Sequence, residues 1–144
     1  MVKVKICGLR RLEDIDYANQ LQPDFVGFVF SESKRKVDLK EALEFVKKID
    51  EGIKKVGVFV NEPVEKVMEI AEKLKLDVLQ FHGDETQGYI DNFRNFVVWK
   101  AIRIRSKLDL KKTEEFNVDA FLFDSYSEKG YGGTGEVFDW SILK

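Results

Sequence analysis

A parallel α/β fold is what this sequence predicts, on three observations. Six short apolar runs rich in Val, Phe and Ile begin near residues 2, 25, 55, 78, 97 and 120. Amphipathic stretches of helical period separate them, so strand and helix alternate along the whole chain. The runs FVGFVF (25–30) and VGVFV (56–60) are apolar on both alternating faces, as a parallel strand covered on both sides requires. Two architectures satisfy this pattern, an open doubly wound sheet and a (β/α)8 barrel. Six units in 144 residues is about 24 residues per unit, and two more would bring the chain near the lower size of such a barrel. The repeat therefore fits an unfinished barrel, although the period alone does not choose between the two.

Each element has its own signal. In Val2–Cys7, Val and Ile alternate with Lys, and the run stops at Gly8. Leu12, Ile15, Ala18 and Leu21 then form one helical stripe, and Leu39, Ala42, Leu43 and Val46 form another after the second strand, Phe25–Phe30. Val56–Val60 precedes the clearest helix, whose Val64, Val67, Met68, Ala71 and Leu74 share a face opposite glutamates and lysines; Pro63 fits its first turn. Val78–Phe81, Val97–Ile102 and Ala120–Phe123 complete the strands. Weaker helical patterns run from Glu85 to Phe93 and from Leu108 to Phe116, and Asp139-Trp140-Ser141 begins a last one.

Composition sets limits on function. The chain of 144 residues reads as one domain, 1–144, with 44% hydrophobic residues and 12 phenylalanines to fill a core. A net charge of -2, from 24 basic and 26 acidic residues, provides no general field for nucleic acid or an acidic membrane. One cysteine forms no internal disulfide, so a reducing, cytoplasmic setting is expected. No stretch reaches the ~18 apolar residues of a membrane span, and no apolar signal core opens the chain.

Several side chains are candidates for chemistry. Cys7 stands at the carboxyl end of the first strand, where the loops of a parallel α/β fold converge; a small buried hydrophobe is the alternative role for a lone thiol. Asp124 follows the sixth strand, as an acid–base group or as a helix N-cap. Arg35, within Ser33-Lys34-Arg35-Lys36, is an anion ligand or a solvated loop charge. Gln80 and His82 close the fourth strand. His82 is the single histidine and has neither a neighbouring ligand nor metal-site spacing, so no metal is expected. Tyr131-Gly132-Gly133-Thr134-Gly135 lacks the Gly-Lys-Ser/Thr ending of a nucleotide loop and reads as a turn or as a loop that closes over a ligand.

Six motifs in register carry a resemblance: KICGLRRLEDIDYA (5–18), DFVGFVFSESKRKV (24–37), VGVFVNEP (56–63), LQFHGDE (79–85), FLFDS (121–125) and YGGTGEVFDWS (131–141). Together the sequence resembles the phosphoribosylanthranilate isomerases of tryptophan biosynthesis, from its first residue almost to its last. The resemblance implies a (β/α)8 barrel of the TIM type, of which about six units are present. It also implies an Amadori rearrangement without cofactor or metal, in which N-(5-phosphoribosyl)anthranilate becomes the 1-deoxyribulose isomer. On the family pattern Cys7 is the general base and Asp124 the general acid. Arg35 then lies near the anthranilate carboxylate, Gln80 and His82 line the pocket, and Gly132 and Gly133 belong to a loop that closes over substrate.

Physical chemistry adds requirements to these roles. A thiol of pKa near ~8.5 needs positive help to ionise, and Lys5, two residues earlier on the same strand face, is a candidate. An acid must keep its proton, and the Phe121-Leu122-Phe123 run points to a desolvated Asp124 with a raised pKa. The sequence stops at Lys144, before the family's strands seven and eight, whose loops hold the substrate phosphate in barrels of this type. A portion of a longer enzyme, a complementing carboxyl-terminal segment or second copy, and a reduced barrel with re-paired edges are the three readings of this break. A non-catalytic barrel fragment is accordingly the alternative to an isomerase.

Overall fold

The computed structural model describes residues 1–128, 135 and 137–143. Six strands, Lys5–Cys7 (β1), Phe25–Val29 (β2), Lys54–Phe59 (β3), Val78–Phe81 (β4), Val97–Ile104 (β5) and Ala120–Ser125 (β6), form one sheet in the order of the chain. Every pairing is parallel. The helices Leu12–Leu21 (α1), Leu39–Val46 (α2), Val64–Leu74 (α3) and the short Gln87–Ile90 (α4) supply the crossovers, with 3-10 helices at Asp91–Phe93, Lys107–Glu115 and Trp140–Leu143.

The sheet is curled. Phe25 on β2 and Trp99 on β5 meet edge to face with ring centroids 4.9 Å apart, whereas a flat sheet would hold those strands about 14 Å apart, three strand spacings. Register agrees with this. Cys7 pairs with Gly27, Gly27 with Val56, Val56 with Val78 and Val78 with Val97, so the row of Cys7 meets β5 at its first residue. Asp124 pairs with Arg103, near the far end of β5. Such a steady stagger is the signature of strands tilted around a barrel axis. The architecture is thus a partial (β/α) barrel, which the repeat left open beside a doubly wound sheet and the resemblance implied.

The convex face of the sheet carries the core. Phe28 stacks on Phe45 of α2 at 6.2 Å, and Phe81 packs against Tyr89 and Phe93 at 5.4 and 5.0 Å. Phe28, Phe81, Phe93, Val26, Leu79 and Val67 are completely buried. Helix α2 starts with a reciprocal cap, in which Glu41 N–H donates to Asp38 Oδ1 (2.7 Å) and Asp38 N–H to Glu41 Oε2 (2.9 Å). Among the described residues no helix is long and apolar enough to cross a membrane.

Helices α1, α2 and α3 run over the stripes that predicted them. Other boundaries move for local reasons. Pro63 caps α3 from outside its first turn, with its carbonyl accepting from Val67 N–H at 3.1 Å. The first strand begins at Lys5 rather than Val2, and Val2 and Val4 are exposed. The helix expected from Glu85 starts at Gln87, because Glu85 is occupied elsewhere. Its carboxylate accepts from Asn61 N–H (2.8 Å) and Gly83 N–H (2.9 Å), and pairs with Lys100 Nζ at 3.1 Å.

The Lys100–Glu85 pair is almost completely buried, with side chains 3% and 1% exposed. Lys100 also donates to the Gly83 carbonyl at 2.7 Å and lies 5.6 Å over the Phe116 ring. It bolts the β4 loop to β5, beside the last residue of the LQFH stretch. Lys100→Met should lower the free energy of unfolding in urea by about 3–5 kcal/mol, because the Glu85 charge is left buried without its counter-ion. Adding Glu85→Gln to that variant should recover part of the loss.

Candidate active site

Gly8 follows β1 in the left-handed region (φ 88°), which favours glycine, and turns the chain at the carboxyl end of the sheet. A side chain there would also meet Arg35, whose Cδ lies 2.6 Å from where a Cβ would stand. Arg35, in the loop after β2, lies across this turn and donates from Nη1 to the carbonyl of Cys7 at 2.9 Å.

Gly27 makes room in a different way. A Cβ built on it would lie 2.8 Å from Cys7 Sγ and 2.9 Å from Lys5 Cε. The thiol and the lysine stem therefore converge over the concave face of β2, in space that a larger residue would occupy. Cys7 is partly buried and free. Burial pulls the Lys5 ammonium below the ordinary lysine pKa; the Cys7 sulfur opposes this by charge and by hydrogen bonding, and Arg35 adds to the lowering. Lys5 Nζ sits 5.8 Å over the Trp99 ring.

From Lys5 a line of contacts crosses the concave face. Lys5 Nζ donates to Gln80 Oε1 on β4. Gln80 Nε2 lies 3.0 Å from His82 Nδ1, and His82 Nε2 lies 3.0 Å from Asp124 Oδ2 on β6. Asp124 Oδ1 accepts from the Ser125 N–H at 2.9 Å. The structure thus brings Cys7, Lys5, Gln80, His82 and Asp124 into one connected group and hangs Arg35 on the backbone of its first member. Gly132 and Gly133 lie outside the described residues.

The expected raised pKa of Asp124 is overturned. The His82 hydrogen bond holds its carboxyl below the usual aspartate range; partial burial pulls the other way, and the Ser125 N–H and the Arg103 charge reinforce the lowering. The neighbouring phenylalanines do not desolvate this carboxyl. Phe121 and Phe123 alternate with Asp124 and stack on each other at 6.5 Å, so they belong to the other face of β6, and only Leu122 shares the concave side.

Two concave-face residues escape a motif-based reading. Trp99 floors the group beneath Lys5, and Arg103 pairs in register with Asp124 while its Nη2 binds Asp84 Oδ1 at 2.8 Å. Both share alternate positions of β5, and a strict period-two reading of Trp99-Lys100-Ala101-Ile102-Arg103 would have put them on one face. Among the described residues, no group of three or more His, Cys, Asp and Glu is placed to hold a metal ion.

The family model described as N-(5'phosphoribosyl)anthranilate (PRA) isomerase matches residues 4–144. The chain belongs to the PRA isomerase family. It is 90% identical, over all 144 residues, to the N-(5'-phosphoribosyl)anthranilate isomerase of Caldanaerobacter subterraneus subsp. tengcongensis and spans 71% of that enzyme. The crystal structure of the PRA isomerase from Thermotoga maritima superposes with a TM-score of 0.87 at 34% identity, covering 99% of this chain and 70% of that one. A further PRA isomerase crystal structure, in complex with reduced 1-(o-carboxyphenylamino)-1-deoxyribulose 5-phosphate, matches with a TM-score of 0.80 at 33% identity, over 88% of this chain and 66% of that one.

Proposed function

We propose that Cys7 is the base and Asp124 the acid with which this PRA isomerase rearranges N-(5-phosphoribosyl)anthranilate, an intramolecular aldose–ketose isomerisation of tryptophan biosynthesis. The observation that carries this reading is the contact line from Lys5, beside the Cys7 sulfur, through Gln80 and His82 to Asp124. Strands β1 and β6 are the outermost of the sheet, and its curl sets their two reactive groups on one concave surface.

Asp124, when protonated, gives its proton to the ring oxygen, and the furanose opens to a Schiff base. The Cys7 thiolate then takes the C2′ proton, and the electron pair of that C–H bond moves toward the iminium nitrogen to leave an enolamine. The Lys5 stem lies beside the Cys7 sulfur over Gly27, and the two side chains interact by charge and by hydrogen bond. Arg35, already tied to the Cys7 carbonyl by Nη1, keeps further N–H donors of its planar fork for the anthranilate carboxylate. A base that must stay a free thiol fits a reducing compartment, the cytoplasm.

The test is turnover of freshly prepared phosphoribosylanthranilate. Loss of activity in both Cys7→Ala and Asp124→Asn supports the assignment, and full activity in either one refutes it. Gly27→Ala probes the same geometry from a neighbouring strand. Its methyl group would push Cys7 Sγ and Lys5 Cε aside, so turnover should fall roughly 10- to 100-fold through misplacement of the base, with unfolding still cooperative. Unchanged turnover would mean that the position of the sulfur is unimportant.

A further inference from the structure

The Lys5–Gln80–His82 contacts determine where protons can reside. A charged lysine ammonium has three donors and no acceptor, so the group facing it on Gln80 is the amide oxygen. The amide nitrogen of Gln80 then points at His82, and its N–H donates to Nδ1. An imidazole nitrogen that accepts carries no proton, which leaves the ring proton on Nε2, directed at Asp124 Oδ2.

We propose that Gln80, oriented by Lys5, is a positioning residue that locks His82 as the Nε2–H tautomer and so directs the acid's proton to Asp124. The inference rests on Asp124 being the acid, and it concerns the way that acid is loaded. When the His82–Asp124 pair takes up one proton, it has two forms. The imidazolium–carboxylate form needs a proton on Nδ1, where the Gln80 N–H already points. Making room would require the Gln80 amide to turn over, which would set its NH2 group against the Lys5 ammonium. The imidazole–carboxylic acid form leaves the Gln80 contacts in place: the proton sits on the carboxyl, and His82 Nε2–H still donates to Oδ2. The Gln80 arrangement therefore disfavours the form in which histidine withholds the proton.

The charged groups around this line act on Lys5 in opposite senses and on Asp124 from the next strand. The Cys7 sulfur interacts with Lys5 by charge and hydrogen bond and favours its ammonium form, whereas burial and Arg35 oppose it; Arg103 acts on Asp124 from the next strand. An ionised base at one end thus supports the amide orientation that prepares the acid at the other.

His82 is the only histidine of the chain, so nitrogen NMR of a tag-free, 15N-histidine-labelled sample reads a single ring. The expected result at neutral pH is a protonated Nε2 and an unprotonated Nδ1, with a coupling or exchange signature for the Nε2 proton. A protonated Nδ1 in the unmodified protein overturns the proposal without any variant. In Gln80→Met the two neutral tautomers should mix, and in Gln80→Glu the ring should become doubly protonated. Turnover should fall roughly 10- to 100-fold in each, the scale for a group that orients a catalytic residue, with KM changed less than kcat. Lys5→Met should loosen the tautomer in the same sense, and its failure to do so would remove Lys5 from the scheme. A locked tautomer in Gln80→Met, or unchanged kcat despite mixed tautomers, overturns the proposal. Full turnover in Asp124→Asn would instead refute the acid assignment and leave the tautomer result standing.

Discussion

Replacing Cys7 with alanine should lower kcat by about 10²- to 10⁴-fold, the range for loss of a general base, and leave KM within about threefold. The reason is local. The sulfur lies over Gly27 beside the Lys5 stem, in a space that Ala leaves partly open without moving either strand. The groups read as binding substrate are untouched: Arg35 is held by the backbone carbonyl of residue 7, not by its side chain. Steady-state kinetics on freshly prepared substrate, with titration of a non-reacting product analogue, separates the two effects. A large loss of analogue affinity with unchanged kcat would make Cys7 a binding contact and end its role as base.

Asp124→Asn should cost a similar factor in kcat, for a different reason. Asparagine keeps the shape and one oxygen, which can accept from His82 or from Ser125 but not from both, since the two donate to different carboxylate oxygens, and it has no acidic proton to give at the ring oxygen. The variant also has a signature in stability. The native carboxyl titrates below the ordinary aspartate value because His82 donates to it. Its ionised form therefore contributes stability that is present above the unfolded pKa and lost as pH falls through the lower, native one. Urea unfolding of the unmodified protein should lose ground against Asp124→Asn below about pH 4, near the ordinary aspartate pKa, and run parallel to it at neutral pH. A constant difference between the two across that range would mean that the His82 bond does not favour the charged form.

The legible parts of this molecule are those governed by neighbours in sequence. Leu12–Leu21, Leu39–Val46 and Val64–Leu74 are helices over the stripes that predicted them, because each buries one face against the sheet. The weaker helical pattern from Leu108 to Phe116 folds as the 3-10 segment Lys107–Glu115, whose Asp109 is buried, accepting from Arg105 and Ser106 N–H groups at 2.9 and 3.0 Å. Glu85 reads as the start of a helix, yet it serves Asn61, Gly83 and Lys100, partners on two other elements. Within the site, Cys7 and Asp124 stand out by motif and strand position, and Lys5 by period two. The bonds of Gln80 and His82 do not, since Lys5 reaches Gln80 and His82 reaches Asp124 only because the sheet curls. Curvature is a property of the whole sheet, and no local run of residues encodes it. The sign of the Asp124 shift is out of reach for the same reason: Phe121 and Phe123 lie on the other face of β6, and a partner 42 positions away leaves no mark on the local run.

The curl has a consequence for the order of events during folding. Its cross-face links join residues far apart in sequence, 75 positions for Lys5 with Gln80 and 42 for His82 with Asp124. Closing loops of that length must precede any reward from the contacts they permit. Neighbouring strand–helix–strand units can assemble early from short-range pairing, whereas the line from sulfur to carboxyl comes together late. Recovery of catalytic competence on refolding should accordingly lag behind recovery of helical signal.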